Sequence, residues 1–416
     1  MWKILLAEFW GDMKAHRTRA ILTMVAVAWG TLSIVLLLAF GEGLKNRLVS
    51  GLLNAGDKVV RIYGGETSRA HQGLAKGRSI NFTDEDLEAL RVSVPEIDLI
   101  SPHYGKWGTS LKYEKEKTTT YAIGVAPTFE DMSRMYPQPG SRFLNDFDMQ
   151  EKRRVVFLGP EIKKRLMGEA TDAVGKKIEI DGLPFTVVGV MQKKLQTSMS
   201  NGPDVNRAVI PAATYKALYG PRYIDFIIVR PKNVLQTEQM MKNITAVLAR
   251  RHKFDPEDTR ALPNWNFVEN EKESRKVFLG IQIFLGAVGA LTLVIAGVGV
   301  ANIMYVTVKD RTREIGVKMA IGARRRHVLA QFIFEALLLC VCGGAAGLSM
   351  AWGIITLMNL IPKSDSGAMA YLGTPTISLP IMLVCTSLLA FIGLLAGYFP
   401  ARRAASVDPV ESLRYE

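Results

Sequence analysis

Hydrophobic and polar positions are sorted into long blocks along this chain. Ala20–Phe40 contains no charged residue, and neither does Val277–Val308. Val328–Pro362 holds Glu335 alone, and Ser366–Ala401 holds none. A membrane span needs roughly 20 apolar residues, so the pattern predicts four transmembrane helices: 20–41, 277–308, 328–361 and 377–399. Val277–Val308 would make about 48 Å of helix against a hydrocarbon core of about 30 Å. Leu44, Leu48 and Leu52 continue the first span at four-residue spacing, and Glu269–Lys276 leads into the second as a charged helical stretch. These two helices are expected to project beyond the bilayer as a stalk. Residues 2–13 place Trp2, Leu5, Leu6, Phe9, Trp10 and Met13 on one helical face, which predicts an amphipathic helix in the interface within residues 1–19.

Between the first two spans the period changes. Lys58–Tyr63 alternates like a strand, Thr83 before Asp84, Glu85 and Asp86 starts a helix, and Tyr104–Val125 reads as a hairpin around Glu114–Lys117. Arg154–Leu158 reads as a buried strand, Pro160–Met167 as a helix, and Asp181-Gly182 as a hairpin turn inside Lys176–Met191. Asp225–Arg230 predicts a strand and Leu235–His252 a helix. The expected fold class is therefore a four-helix membrane protein with a large α/β (α+β) domain, residues 42–276, inserted between helices one and two.

Charge sets the orientation. Lys3, Lys14, Arg17 and Arg19 precede the first span; Lys309, Arg311, Arg313, Lys318 and Arg324–Arg326 follow the second; Arg402, Arg403 and Arg414 follow the fourth. By the positive-inside rule both termini (1–19 and 400–416) and the 309–327 loop face the cytoplasm. Residues 42–276 and the short 362–376 loop then lie outside. The apolar run after Arg19 is too long for a signal-peptide core, and Gly41-Glu42-Gly43 is a poor cleavage site. The formal net charge of +13 is largely topogenic, and no basic stripe with interleaved aromatics points to nucleic acid. All three cysteines (Cys340, Cys342, Cys385) fall in predicted spans, so the external domain must fold without disulfides. The five histidines have no metal-ligand spacing, and no P-loop, H-E-x-x-H or G-x-S-x-G motif occurs. The expectation is a non-catalytic chain that binds no cofactor or metal.

The 309–327 loop carries the candidate site. Thr312 or Asp310 can cap a helix running to Ile321, with Gly322 as its stop. Glu314 and Lys318 pair at i, i+4. Ile315 and Met319 share a face, and the reading makes that face an exposed apolar ridge for a partner protein, rimmed by Arg311, Arg313 and Glu314. Gly316 and Ala323 complete the segment. Arg324–Arg326 read as topogenic charge that snorkels to headgroups. In the spans, Gly286/Ala290, Gly297/Ala301, Gly343/Gly347 and Gly393/Gly397 are small-x-x-x-small pairs, which suggests a tight helix dimer. Glu335 could be a functional intramembrane acid, but its place near the cytoplasmic end favours snorkelling or hydrogen bonding to a neighbouring helix.

The run RTREIG at Arg311–Gly316, then Met319-Ala320 and Gly322-Ala323-Arg324, then Gln331-Phe332, Glu335-Ala336, Gly343-Gly344 and Gly347, resembles the signature of MacB-type ABC transporter permeases of the FtsX-like family. Gly397–Leu413 resembles that family's closing segment, and Val155–Val190 its external domain. The resemblance implies a dimeric permease with a stalked periplasmic domain in the bacterial inner membrane. It implies mechanotransmission, in which ATP (with Mg) is hydrolysed by an ABC ATPase, and efflux with a periplasmic adaptor and an outer-membrane channel. MacB carries its ATPase in the same chain. This sequence has no P-loop, so a separate ATPase subunit is expected. The dimer could pair two copies or two related permeases. Lipoprotein release from the inner membrane, and relay to cell-wall hydrolases in the manner of FtsX-type division proteins, are the alternative functions the resemblance leaves open.

Overall fold

A computed structural model describes residues 17–54, 56–196, 201–360 and 373–406. The amphipathic helix expected over 2–13 and most of the 362–376 loop lie outside these residues. The chain divides into two compact units, residues 1–47 with 276–416, and Leu48–Arg275.

Among the described residues, four helices are long and apolar enough to cross a membrane: α1 (Arg17–Leu53) and, in the second half of the chain, Phe267–Asp310, Arg325–Leu360 and Leu379–Ala405. At 1.5 Å per residue, the 37 residues of α1 give about 55 Å and the 44 residues of Phe267–Asp310 about 66 Å. Both exceed the hydrocarbon thickness, as the uninterrupted helical pattern on either side of the apolar runs required.

The α/β unit follows α1. In chain order it contains β1 (Val60–Tyr63), α2 (Asp84–Ser93), β2 (Ile97–Tyr113), β3 (Glu116–Val125), α3 (Phe129–Ser133), α4 (Asp146–Gln150), β4 (Val155–Leu158) and α5 (Pro160–Met167). Then come β5 (Lys177–Ile180), β6 (Leu183–Val190), β7 (Arg207–Pro211), α6 (Ala212–Tyr219), β8 (Phe226–Pro231), α7 (Thr237–His252) and β9 (Asn264–Asn266). The strands form one sheet in the order β3-β7-β4-β6-β5-β2-β8-β1-β9, and β3 also pairs with β2. The pairings thus close a ring of six strands, which leaves those strands without a free edge. β2 makes this possible by its length. Residues 97–103 pair with β8 (Ile100↔Val229), residues 103–113 pair with β3 (Ser110↔Thr119), and Leu111 and Lys112 also pair with β5 (Leu111↔Ile180). A register shift between Lys106 and Thr109, at Gly108 with φ +71°, interrupts the β2–β3 ladder.

Local chemistry sets the boundaries. Asp181 and Gly182 both have positive φ and join β5 to β6 as a two-residue hairpin. Thr83 and Asp86 form a reciprocal capping box at α2. Two buried clusters fill the unit, one including Ile62, Phe82, Leu90, Leu111 and Ile227, the other Val59, Ile123, Phe157, Ile228 and Phe267.

The membrane unit completes the chain with α8 (Phe267–Asp310), α9 (Thr312–Ala320), α10 (Arg325–Leu360) and α11 (Leu379–Ala405). Several of its small residues pack against neighbouring helices of the same chain. A Cβ at Gly343 would stand 2.8 Å from Val27, and one at Gly347 would stand 2.4 Å from the Ala28 carbonyl oxygen; both approach α1. Gly393 and Gly397 face Cys340 and Ala336 of α10, and Gly297 faces Ile392 of α11. A Cβ at Gly286 would stand 3.8 Å from Leu38, an ordinary contact, while Ala290 and Ala301 are half-buried. α1 and α8 also approach closely at Gly289, where a Cβ would stand 2.5 Å from Ile34, a position pattern reading overlooked. Helices that pack without a hydrophobic driving force need such close backbone approach, and here the requirement is met within the chain.

Candidate coupling site

α8 ends at Asp310, and a single residue, Arg311 (φ −101°, ψ 10°), separates it from α9. The turn is almost helical: Arg311 N–H donates to the Thr307 carbonyl and Ile315 N–H to that of Arg311, both at 3.0 Å. Neither Thr312 nor Asp310 caps α9. Thr312 is its first residue, and its hydroxyl reaches back to the carbonyls of Val308 and Lys309 at 3.1 and 2.9 Å, holding the last turn of α8. Asp310 pairs with Arg19 at 3.7 Å. Gly322, with φ +104°, ends the segment as its lack of a side chain allows. Glu314 and Lys318 make the expected i, i+4 pair at 2.9 Å.

The apolar ridge faces the other way from the expectation. Ile315 is 4% exposed and belongs to the core of the membrane helices, with Met319 packed beside it. Val300, Met304 and Val308 on α8 are buried in the same cluster, and Ile315 continues their line seven residues on from Val308. That register was the signal for an inward face, because two nearly continuous helices present one stripe to one bundle. Gly316 is buried as well. Arg311 also turns inward: its guanidinium lies 3.4 Å from the Glu335 carboxylate on α10, and Gln331 donates to the same carboxylate at 3.2 Å. Glu335 is therefore bonded to neighbouring groups, and Arg311 is not part of an outer rim.

The outward face is different. Arg313, Glu314, Ala320 and Gly322 are exposed; Thr312, Lys318 and Ala323 are half-buried. Val317 is 43% exposed and Ile321 82%. These two lie four apart, so the same side of the segment shows two aliphatic side chains flanked by a base and an acid. Arg324, Arg325 and Arg326 are exposed beyond it.

Comparison with known proteins agrees with this architecture. Residues 20–247 match the description of a MacB-like periplasmic core domain, and residues 286–409 that of an FtsX-like permease C-terminal region. The chain belongs to the MacB-type, FtsX-like permease family. Among relatives of this family, a pyoverdine export ATP-binding/permease protein PvdT of Pseudomonas syringae pv. syringae (strain B728a) is 32% identical over 98% of this chain and 58% of its own length. A macrolide export ATP-binding/permease protein MacB of Shewanella sp. (strain ANA-3) is 30% identical over 97% of this chain and 59% of its own. The chain thus spans somewhat under 60% of the curated relatives it matches. The periplasmic region of MacB from Actinobacillus actinomycetemcomitans aligns with TM-score 0.42 and 18% identity, over 54% of this chain and 94% of that one. As a MacB-type permease, the chain has the features of a multi-pass inner-membrane protein with a periplasmic domain between its first two spans.

The periplasmic domain holds a buried polar cluster of its own. Asp204 is 3% exposed and held between Lys194 (2.7 Å) and Arg207 (2.8 Å). Burial pushes its carboxyl up, but Lys194, Arg207 and Arg61 outweigh that and hold it below the usual carboxylate range. Burial lowers Lys194 and Arg61, opposed at Lys194 by Asp204. Pattern reading assigned no role to these four residues, because no local motif joins Arg61 to positions more than 130 residues away.

Proposed function

We propose that the chain is the permease subunit of a MacB-like export system in which a separate ABC ATPase, carrying ATP and Mg, docks on the outward face of α9. The observation that carries this reading is the two-sided character of that helix. Val317 and Ile321 offer apolar contact to a partner, with Arg313 and Glu314 beside them, while Ile315 is locked into the helix core. A force on α9 is then delivered to α8 and α10, through Ile315 and through the Arg311–Glu335 pair. The length of α1 and α8 suits mechanotransmission to the periplasmic domain, with both termini and α9 cytoplasmic. The names of the relatives, for pyoverdine and macrolide export, support export over lipoprotein release or hydrolase regulation. A dimer of two copies or two related permeases, a periplasmic adaptor and an outer-membrane channel complete the system.

The test is co-reconstitution in nanodiscs with candidate ABC ATPases, each separately tagged. The expected result is no hydrolysis by the chain alone and stimulated hydrolysis with one ATPase that co-purifies. Hydrolysis that tracks the purified chain by itself would overturn the reading.

A further inference from the structure

The roots of α1 and α8 meet the same buried polar network. Lys194 lies in the segment between β6 and β7. Its ammonium donates to the carbonyl of Asn54, one residue past the end of α1, at 2.8 Å, and to that of Ser133 at 2.5 Å. The Asn54 side-chain amide returns a hydrogen bond to the Leu195 carbonyl at 2.8 Å. Lys194 also pairs with Asp204, and Asp204 with Arg207. Asp204 N–H donates to Gln196 Oε1 at 2.9 Å, and Arg207 donates to the Gly202 carbonyl at 2.8 Å, so both described ends of the segment are fastened.

The other helix enters through Arg61 on β1. Its guanidinium sits 4.8 Å from the ring centroid of Phe267, the first residue of α8. Phe267 N–H donates to the Val59 carbonyl at 3.0 Å. Gly56, two residues past Asn54, lies flat against the same ring: a Cβ there would stand 3.1 Å from it. Asp57 N–H, next to Gly56, donates to the Met132 carbonyl at 2.9 Å, beside the Ser133 carbonyl that Lys194 holds.

Two cations, Lys194 and Arg207, therefore hold one carboxylate where water is excluded, and the buried Arg61 guanidinium carries the start of α8 on its face. Such a network contributes little stability over apolar packing, but removing one partner leaves the others buried and poorly compensated. We propose that the Asp204 network is a mechanical junction that fastens the end of α1 and the start of α8 together, so that displacing either helix root displaces the other and the 201–206 segment. The proposal deepens the mechanotransmission reading by naming where helix movement enters the periplasmic domain. Its test uses neither ATP nor an ATPase, so it can fail while that reading stands, and the reverse.

The experiment is amide hydrogen exchange on the full chain in nanodiscs, comparing the parent with Lys194→Met. The substitution keeps the length of the side chain and leaves Asp204 paired with Arg207. Lys194 bonds to the α1 root, and no bond from it to α8 is seen among the described residues, so exchange in α8 reports coupling rather than a lost contact. The expected result is faster exchange at 48–54 and also at 267–275, each by about tenfold, the scale of one lost charge-assisted hydrogen bond. Strand β4 and helix α5 should exchange as in the parent. Faster exchange confined to 48–54 and 201–206, with 267–275 unchanged, would overturn the proposal. Should Lys194→Met not fold, Asn54→Ala removes only the returned amide bond and is read at the same peptides with the same two outcomes. Lys106→Met, which breaks the exposed pair with Asp181, is the control and should leave both helix roots as they were.

Discussion

Arg311 and Glu335 face each other at 3.4 Å, one at the joint between α8 and α9, the other two to three turns into α10. Both side chains are largely buried. The pair ties the joint of the candidate coupling helix to a second membrane helix, alongside the apolar contact at Ile315.

Breaking such a pair leaves a charge poorly solvated, which costs about 3 kcal/mol. Glu335→Ala should therefore lower the stability of the detergent-purified chain by about that amount. Glu335→Ala with Arg311→Met should recover part of the loss, since no lone charge then remains. Thermal unfolding of the two single variants and the double variant measures this. Additive losses would mean that the two groups do not interact.

The α/β unit, Leu48–Arg275, holds both buried clusters of its own, and the three cysteines lie elsewhere. A fragment covering about these residues is large enough to fold alone. We expect it to be soluble, to unfold in one cooperative transition, and to be indifferent to reductant. Precipitation, or a dependence on oxidant, would contradict this.

Asp86 gives that fragment an acid-sensitive step. Burial raises its carboxyl, but hydrogen bonds from His252 (2.9 Å), Arg251 (2.6 Å) and the Thr83 amide (2.9 Å) more than offset this, holding it at about 2. A depressed carboxylate stabilises the fold above its unfolded value of 3.8 and loses that contribution as pH falls toward 2. The contribution is about 2 kcal/mol. Asp86→Asn should be less stable than the parent by roughly that amount at pH 7, and the gap should close between pH 4 and pH 2. Urea titrations across that range check it; a constant gap would show that the carboxylate's charge is not what matters.

Much of the architecture was legible from local signals. The hairpin at Asp181-Gly182, the start of α2 at Thr83 and the limits of α5 depend on neighbouring residues alone, and the structure has them where the pattern put them. The ring closure was not legible. It depends on β2 extending back to Ile97 and on β3 pairing with β7 across some 80 residues, neither of which leaves a local pattern. The face of α9 was misread for a related reason. Its amphipathicity is plain from Ile315 and Met319, but whether an apolar face meets a partner or its own bundle depends on the register shared with α8. Val308 and Ile315, seven apart, carry that register.

Whether the outward face of α9 seats the ATPase is decided by comparing Ile321→Asp with Ile315→Asp in co-purification with the tagged ATPase. Burying one aliphatic side chain contributes about 1.5–3 kcal/mol, so Ile321→Asp should weaken assembly at least about tenfold while the permease itself purifies with unchanged thermal stability. Ile315→Asp should instead destabilise the permease, because its side chain lies in the helix core. Arg325→Ala should leave assembly nearly intact. Full ATPase binding and stimulation by Ile321→Asp, with binding lost on Arg325→Ala, would rule out the α9 face and move the contact to the arginine cluster.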